Sequence, residues 1–166
     1  MSDGEALDLQ LPDADATARL AAALAAAAPG RAVVHLHGDL GAGKSTLARA
    51  WLRTLGVQGA IRSPTYTLVE RHALADGGEA LHLDLYRIGE AGELEFLGLD
   101  DADAALWLVE WPERGGRELP VADLHVSLAI DGTGRLATLA PGSAAGSAWL
   151  DRLVQECQLR DLPVPS

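Results

Sequence analysis

Cysteine occurs once in the 166-residue sequence, at Cys157. A single thiol excludes an internal disulfide and any multi-cysteine metal site, and it suits a reducing compartment. Lysine is equally scarce. Thirteen side chains are Lys or Arg, and Lys44 is the only lysine among them. Against these stand 24 Asp and Glu, giving a formal net charge of −11 with no basic cluster in the sequence. That balance opposes unaided binding to a nucleic acid backbone. Long apolar runs are also missing. The longest, Leu20 to Pro29, is mostly alanine and too short to cross a bilayer. The first residues hold no basic stretch followed by an apolar core, so no signal peptide is expected. No internal repeat is evident. The expectation is a soluble cytoplasmic protein that has no membrane partner. Hydrophobic content of 48% argues for a folded globule. The length suits one domain, taken as residues 1–160, with a short tail at 161–166.

What is present centres on Gly38-Asp39-Leu40-Gly41-Ala42-Gly43-Lys44-Ser45. This stretch matches the phosphate-binding pattern G-x-x-x-x-G-K-[ST] at every required position. Ala32 to His37 before it reads as a short buried strand. Ser45 to Leu55 after it reads as a helix, with Leu47, Trp51 and Leu55 on one face. Glycines let backbone N–H groups turn inward on a polyphosphate. The helix N-terminus adds free N–H groups and the positive end of its dipole. Lys44 is placed to bridge β- and γ-phosphates and the Ser45 hydroxyl to ligate Mg²⁺. An accidental glycine-rich turn is the competing reading, since the chain holds 18 glycines. The strand and helix flanks, and the single lysine at the one position that requires it, argue against that.

The remaining chain reads as an α/β protein with a mixed sheet. Ala6 to Leu11 alternates as a half-buried strand that suits a sheet edge, ended by Pro12. A helix capped by Asp13 or Asp15 runs to about Ala28 and stops at Pro29-Gly30. Ile61 to Thr67 is rich in hydroxyls and reads equally as a switch loop near a γ-phosphate or as an ordinary turn. Tyr66 to Leu74 and Glu79 to Leu85 read as strands joined by hairpin chemistry at Asp76-Gly77-Gly78. Ala105 to Trp111 reads as a further strand. Val121 to Ile130 and Arg135 to Ala140 form a second hairpin around Asp131-Gly132-Thr133-Gly134, and Ala144 to Leu159 a closing helix.

A phosphate loop requires an acidic residue at a strand end. Asp84 and Glu110 both qualify, and each also reads as a solvated strand-end acid. Arg87 reads as a phosphate contact or as an ion-pair partner of Glu90, Glu93 and Glu95. His35, His37 and His82 lie on strands, but their spacing supplies no further ligands for a zinc site. Trp107 and Trp111 are four apart on one predicted strand and read as packing. Guanine recognition of the common GTPase type uses an Asn-Lys-x-Asp motif, which the single lysine rules out, so ATP is favoured.

Five stretches in this order resemble one family. They are Gly38 to Thr46, Ser63-Pro64-Thr65-Tyr66-Thr67-Leu68-Val69-Glu70, His82-Leu83-Asp84-Leu85-Tyr86-Arg87, Glu93 to Leu99, and Val109-Glu110-Trp111-Pro112. Together they are similar to the bacterial TsaE (YjeE) ATPases. The resemblance implies a P-loop NTPase-like three-layer fold whose mixed central sheet contains antiparallel hairpins. It implies an ATP-hydrolysing subunit needed for threonylcarbamoyladenosine formation on tRNA, next to the anticodon. TsaB and TsaD are the implied partners, and tRNA is met only through that assembly. ATP and Mg²⁺ are the implied cofactors. By motif, Asp39, Leu40, Gly41, Ala42, Gly43, Lys44, Ser45 and Thr46 bind nucleotide, joined by Thr17 and Arg135. Ser45, Glu110 and Asp84 form the metal region. Lys44, Asp84, Glu110 and Thr65 carry the catalytic role, Thr65 from the switch-like loop. Ser45 stands where many relatives have Thr, and both offer a hydroxyl to the metal. A small-molecule kinase, with Pro112 to Arg117 as an Arg-bearing lid, and a non-catalytic nucleotide sensor are the alternative readings. The acidic, partly apolar stretch Glu90 to Asp103 reads as a partner-docking segment or as a plain amphipathic helix.

Overall fold

The computed structural model describes residues 6–62, 64, 67–89, 99 and 103–155. Seven strands form one sheet: β1 (Leu7–Leu11), β2 (Ala32–His37), β3 (Val69–Ala73), β4 (Glu79–Asp84), β5 (Leu106–Glu110), β6 (Leu124–Asp131) and β7 (Gly134–Pro141). Their order across the sheet is β1-β7-β6-β2-β5-β4-β3. The four central strands β6, β2, β5 and β4 run parallel. The flanking pairs β6–β7, β1–β7 and β3–β4 are antiparallel. The sheet is therefore mixed, with both expected hairpins, and β1 lies at an edge as its alternation suggested.

Three helices, α1 (Ala14–Ala27), α2 (Lys44–Thr54) and α3 (Ala144–Gln155), share one core with one face of the sheet. Asp13 caps α1, its Oδ1 accepting from Ala16 N–H at 2.8 Å. Leu20 and Leu24, four apart, put the helix's apolar stripe into that core. The alanines between them let α1 lie close against its neighbours. On α2, Leu47, Trp51 and Leu52 are buried, whereas Leu55 is only partly so. A second core on the opposite face contains Val33, Leu81, Leu83, Trp107 and Val109. Among the described residues its cover is irregular chain and two short 3-10 turns, Pro112–Arg114 and Gly116–Glu118. Both faces of β4 and β5 are covered, so these strands are buried almost throughout, and their polar residues His82, Asp84 and Glu110 are buried with them. No helix among the described residues is long and apolar enough to cross a membrane.

Several strand limits differ from expectation: β6 begins at Leu124 and not at Val121, β4 ends at Asp84 and not at Leu85, and two further limits have a cause in the local backbone. The strand read as Tyr66 to Leu74 begins at Val69. Leu68 adopts a left-handed φ of 68° and donates its N–H to the Pro64 carbonyl at 2.9 Å, closing a turn ahead of the strand. The strand read as Ala105 to Trp111 stops at Glu110. Trp111 is left-handed, with φ 57° and ψ 51°, and Pro112 opens a 3-10 turn. Proline has no N–H to extend the sheet ladder, so the chain must leave the strand here. The expected extension of the closing helix over residues 156–159, and the tail at 161–166, lie outside the described residues, as does Tyr66.

Helix α3 is locked to the rest by Trp149. Its side chain is fully buried, its indole N–H donates to the Leu24 carbonyl at 3.1 Å, and it meets Trp51 edge to face at 5.8 Å. Trp149→Ala is expected to lower unfolding free energy by about 3–5 kcal/mol, read as a lower midpoint in urea denaturation.

Candidate phosphate and metal site

The parallel register brings the acidic strand ends together. Asp84 and Glu110 are the last residues of β4 and β5 and are direct partners across the pair. Next to β5 in the sheet, β2 ends at His37 and runs into the glycine loop. Gly38 has φ 145°, and a Cβ there would stand 2.5 Å from the Leu128 carbonyl oxygen. Gly43 has φ 107° and is the residue from which α2 starts. Both positions demand glycine, one for close approach and one for its left-handed backbone.

Lys44 is buried to 5% exposure. Its ammonium donates to the carbonyls of Gly38 and Asp39 and lies 4.2 Å from the centre of the Trp111 ring. Burial lowers its pKa, while Glu110, Asp84, Glu113 and Asp39 pull it back upward. Ser45 Oγ donates to both oxygens of Glu110, at 3.0 and 3.1 Å. His82, fully buried, meets Glu110 Oε2 through Nε2 at 2.6 Å. A carboxylate can only accept, so the imidazole supplies the proton. Asp84 accepts from the Tyr86 N–H at 3.1 Å. Burial raises the Asp84 pKa, the Tyr86 bond opposes this, and the neighbouring Glu110 charge raises it further.

Lys44, Ser45, Asp84 and Glu110 line a cleft of about 480 Å³ that extends from the loop to Tyr86, Arg87, Trp111 and Arg135, with His82 buried behind it. A second hollow of about 220 Å³ shares Ala42, Gly43, Thr46 and Arg135 with it and adds Thr17, Thr133 and Leu128. Arg135 stands between the two. Its Nε donates to Ala42 O at 3.0 Å and Nη2 to Gly41 O at 3.1 Å. It thereby braces the glycine loop against the β6–β7 hairpin. The donor set Ser45 hydroxyl, Glu110 carboxylate and Asp84 carboxylate is all oxygen, which suits a hard cation such as Mg²⁺.

Of the residues expected at the site, the loop residues Asp39 to Thr46, Asp84, Glu110 and Arg135 line the main cleft. Thr17 lies in the adjoining hollow. Thr65 lies outside the described residues, as do Glu90, Glu93 and Glu95. Within the proposed docking stretch Glu90 to Asp103, only Leu99 and Asp103 are described. Arg87 is in the cleft lining. The lid expected at Pro112 to Arg117 is a pair of 3-10 turns, with the Arg114 guanidinium 5.5 Å from the Tyr86 ring.

Two readings need correction. Trp111 does not share a strand face with Trp107. Its left-handed backbone turns the ring onto Lys44 and against Tyr86, 4.9 Å between ring centres. Pro112 directly after Glu110 was the signal that the strand could not continue. The expectation that His35 and His37 find no further ligand is also overturned, because His125 on β6 joins them. His82 was placed on a strand without a role. Its position two residues before Asp84 puts both on one face of β4, and that alternation is what makes it a neighbour of Glu110.

Comparison with known proteins agrees with this geometry. A family model described as threonylcarbamoyl adenosine biosynthesis protein TsaE matches residues 11–136. The tRNA threonylcarbamoyladenosine biosynthesis protein TsaE of Haemophilus influenzae is 48% identical over 98 residues, which is 58% of this chain and 61% of that protein. The match thus spans less than two thirds of the Haemophilus relative. The protein of the same description from Synechocystis is 39% identical over 115 residues, covering 65% of this chain and 71% of its own. The crystal structure of YdiB from Bacillus subtilis superposes with a TM-score of 0.76 at 25% identity, over 95% of this chain and 99% of that one. A match over most of the sheet and the whole candidate site settles kinship: the chain belongs to the TsaE family.

Proposed function

We propose that this chain is a P-loop ATPase that binds ATP with Mg²⁺ and serves threonylcarbamoyladenosine formation on tRNA, acting with TsaB and TsaD. The observation that carries the reading is one constellation. A glycine loop, the chain's only lysine, a serine hydroxyl and two carboxylates from adjacent parallel strands converge on a single cleft.

The chemistry follows from those groups. Backbone N–H groups of the loop and the N-terminus of α2 receive the phosphates. Lys44 exchanges the Gly38 and Asp39 carbonyls for phosphate oxygens, carrying its charge to the site of transfer. Mg²⁺, when bound, neutralises charge on the β- and γ-phosphates. Ser45 and Glu110 would hold it, their present hydrogen bond giving way to coordination. His82 fixes the orientation of the Glu110 carboxylate, as a buried outer partner does for a metal ligand. Asp84, with one oxygen held by the Tyr86 N–H, retains a second to orient the attacking water. The adjoining hollow at Thr17, Thr133 and Arg135 suits the nucleoside end.

The three positive-ion partners of resting Lys44 are weak substitutes for phosphate: two carbonyls and an aromatic face. Phosphate can therefore displace them readily, while slow turnover alone and quickening by partners rest on the family membership. The acidic balance of the chain fits a subunit that leaves tRNA contact to the rest of the assembly.

Lys44→Ala is expected to stay folded and to lose about 100-fold or more in turnover; wild-type ATP affinity and turnover in the folded variant would sink the assignment. Glu110→Gln should weaken ATP binding in Mg²⁺ while leaving the weaker Mg²⁺-free binding unchanged, as read by calorimetry. Nucleotide should also change tryptophan emission, because it removes Lys44 from the Trp111 ring. The other three tryptophans are at most 4% exposed and do not line the cleft, so Trp111→Phe should remove most of the signal. Finally, ATP turnover should rise when TsaB and TsaD are added, and binding to them should differ between ATP and ADP. Turnover indifferent to both proteins would refute the partner assignment.

A further inference from the structure

On the sheet face away from the helices, three of the chain's five histidines stand together. His35 and His37 alternate on β2 with Val34 and Leu36, whose side chains enter the helix-side core. Parallel pairing sets His125 of β6 directly beside His35. One ring nitrogen from each of the three lies within 4.8 Å of the other two. His37 Nε2 and His125 Nδ1 are already 2.9 Å apart.

We propose that His35, His37 and His125 form a binding site for a divalent first-row transition ion of the zinc class, separate from the Mg²⁺ site. Imidazole is the ligand that Zn²⁺, Co²⁺, Ni²⁺ and Cu²⁺ share, while Mg²⁺ prefers oxygen. Tetrahedral coordination with Zn–N bonds of about 2.0–2.1 Å places ligand nitrogens about 3.3–3.4 Å apart. The His37–His125 separation of 2.9 Å and the 4.8 Å limit on the others are close enough to that value for side-chain rotations to reach it. All three rings are half-buried, which limits competition from water without closing the site.

His35 and His37 also favour the protonation state that a metal needs. Burial, with repulsion from His125, lowers the His35 pKa to about 4. Burial and His125 lower that of His37 as well. Neutral His35 and His37 rings offer lone pairs at neutral pH, and the proton that binding must displace is the one shared in the His37–His125 contact. The His35 ring is held by the Pro120 carbonyl at 3.2 Å from Nε2, the type of outer contact that orients metal-bound histidine. Glu113 acts electrostatically on both His35 and His37, and a water completes four-coordination. The ligands belong to two neighbouring strands, and His37 directly precedes Gly38. An ion here would tie β2 to β6 at the root of the glycine loop.

The test uses full-length protein without a histidine tag, stripped with chelator and titrated with Zn²⁺ alone, and with Co²⁺ alone. About one Zn²⁺ per chain is expected by calorimetry and by metal analysis after dialysis. His37→Gln and His125→Gln should each weaken binding by about 10-fold or more. His72→Gln and Glu110→Gln should not. Co²⁺ on the unmodified protein should give the strong visible absorption of four-coordinate nitrogen ligation, a readout that does not depend on any variant folding. A weak six-coordinate oxygen spectrum, or Zn²⁺ binding lost in Glu110→Gln but kept in the histidine variants, would place the ion at the phosphate site and overturn the proposal. Failure to retain any Zn²⁺ would overturn it too.

Discussion

Asp84 and Glu110 are held side by side by the in-register pairing of two buried parallel strands, and much of the site depends on that constraint. Two adjacent carboxylates at low exposure repel each other and lose hydration. The fold answers each one differently. Glu110 receives the Ser45 hydroxyl and the His82 ring, whereas Asp84 receives one backbone N–H and keeps a raised pKa. The ammonium of Lys44 stands nearby but is bound to carbonyls instead. A dense negative pair facing a cleft is the environment in which a divalent cation is most strongly favoured.

The glycine loop is less free than its composition suggests. Gly38 is packed against the Leu128 carbonyl, and Arg135 grips the carbonyls of Gly41 and Ala42 from across the sheet. The β6–β7 hairpin therefore sets the shape of a loop almost a hundred residues earlier in the chain. The Ala42 N–H is itself tied to the Asp39 carbonyl at 3.1 Å, so the loop's peptide groups, its remaining N–H donors among them, are held in place. Rigid placement of such donors before ligand arrives is what gives a phosphate cradle its strength.

Much of this was legible in the sequence because it is local. The strand–loop–helix unit, both hairpins, and the caps at Asp13 and Pro12 rest on neighbours in the chain. Asp84 and Glu110 were also recognisable, since each follows an apolar run. Their adjacency was not, because it comes from the sheet order. Trp111 was misread for a different reason: alternation continues through it, and only the backbone reversal forced ahead of Pro112 removes it from the strand. Arg135 as a loop brace and His125 as a neighbour of His35 both depend on β6 lying next to β2, a pairing that no spacing in the sequence encodes. Leu68 similarly looks like strand residue by composition, yet its left-handed turn is set by the Pro64 carbonyl.

The single lysine has one more consequence. Every ε-amine reaction that this protein can undergo is a reaction at Lys44. Acetylation, reductive methylation or an amine-reactive label would report on the glycine loop without the background that a lysine-rich surface creates. Burial beneath Trp111 and engagement with two carbonyls shield that amine. Acylation there would also erase its charge. The surface, built with arginine in place of lysine, is thus chemically silent to the reagents and enzymes that read lysine ε-amines.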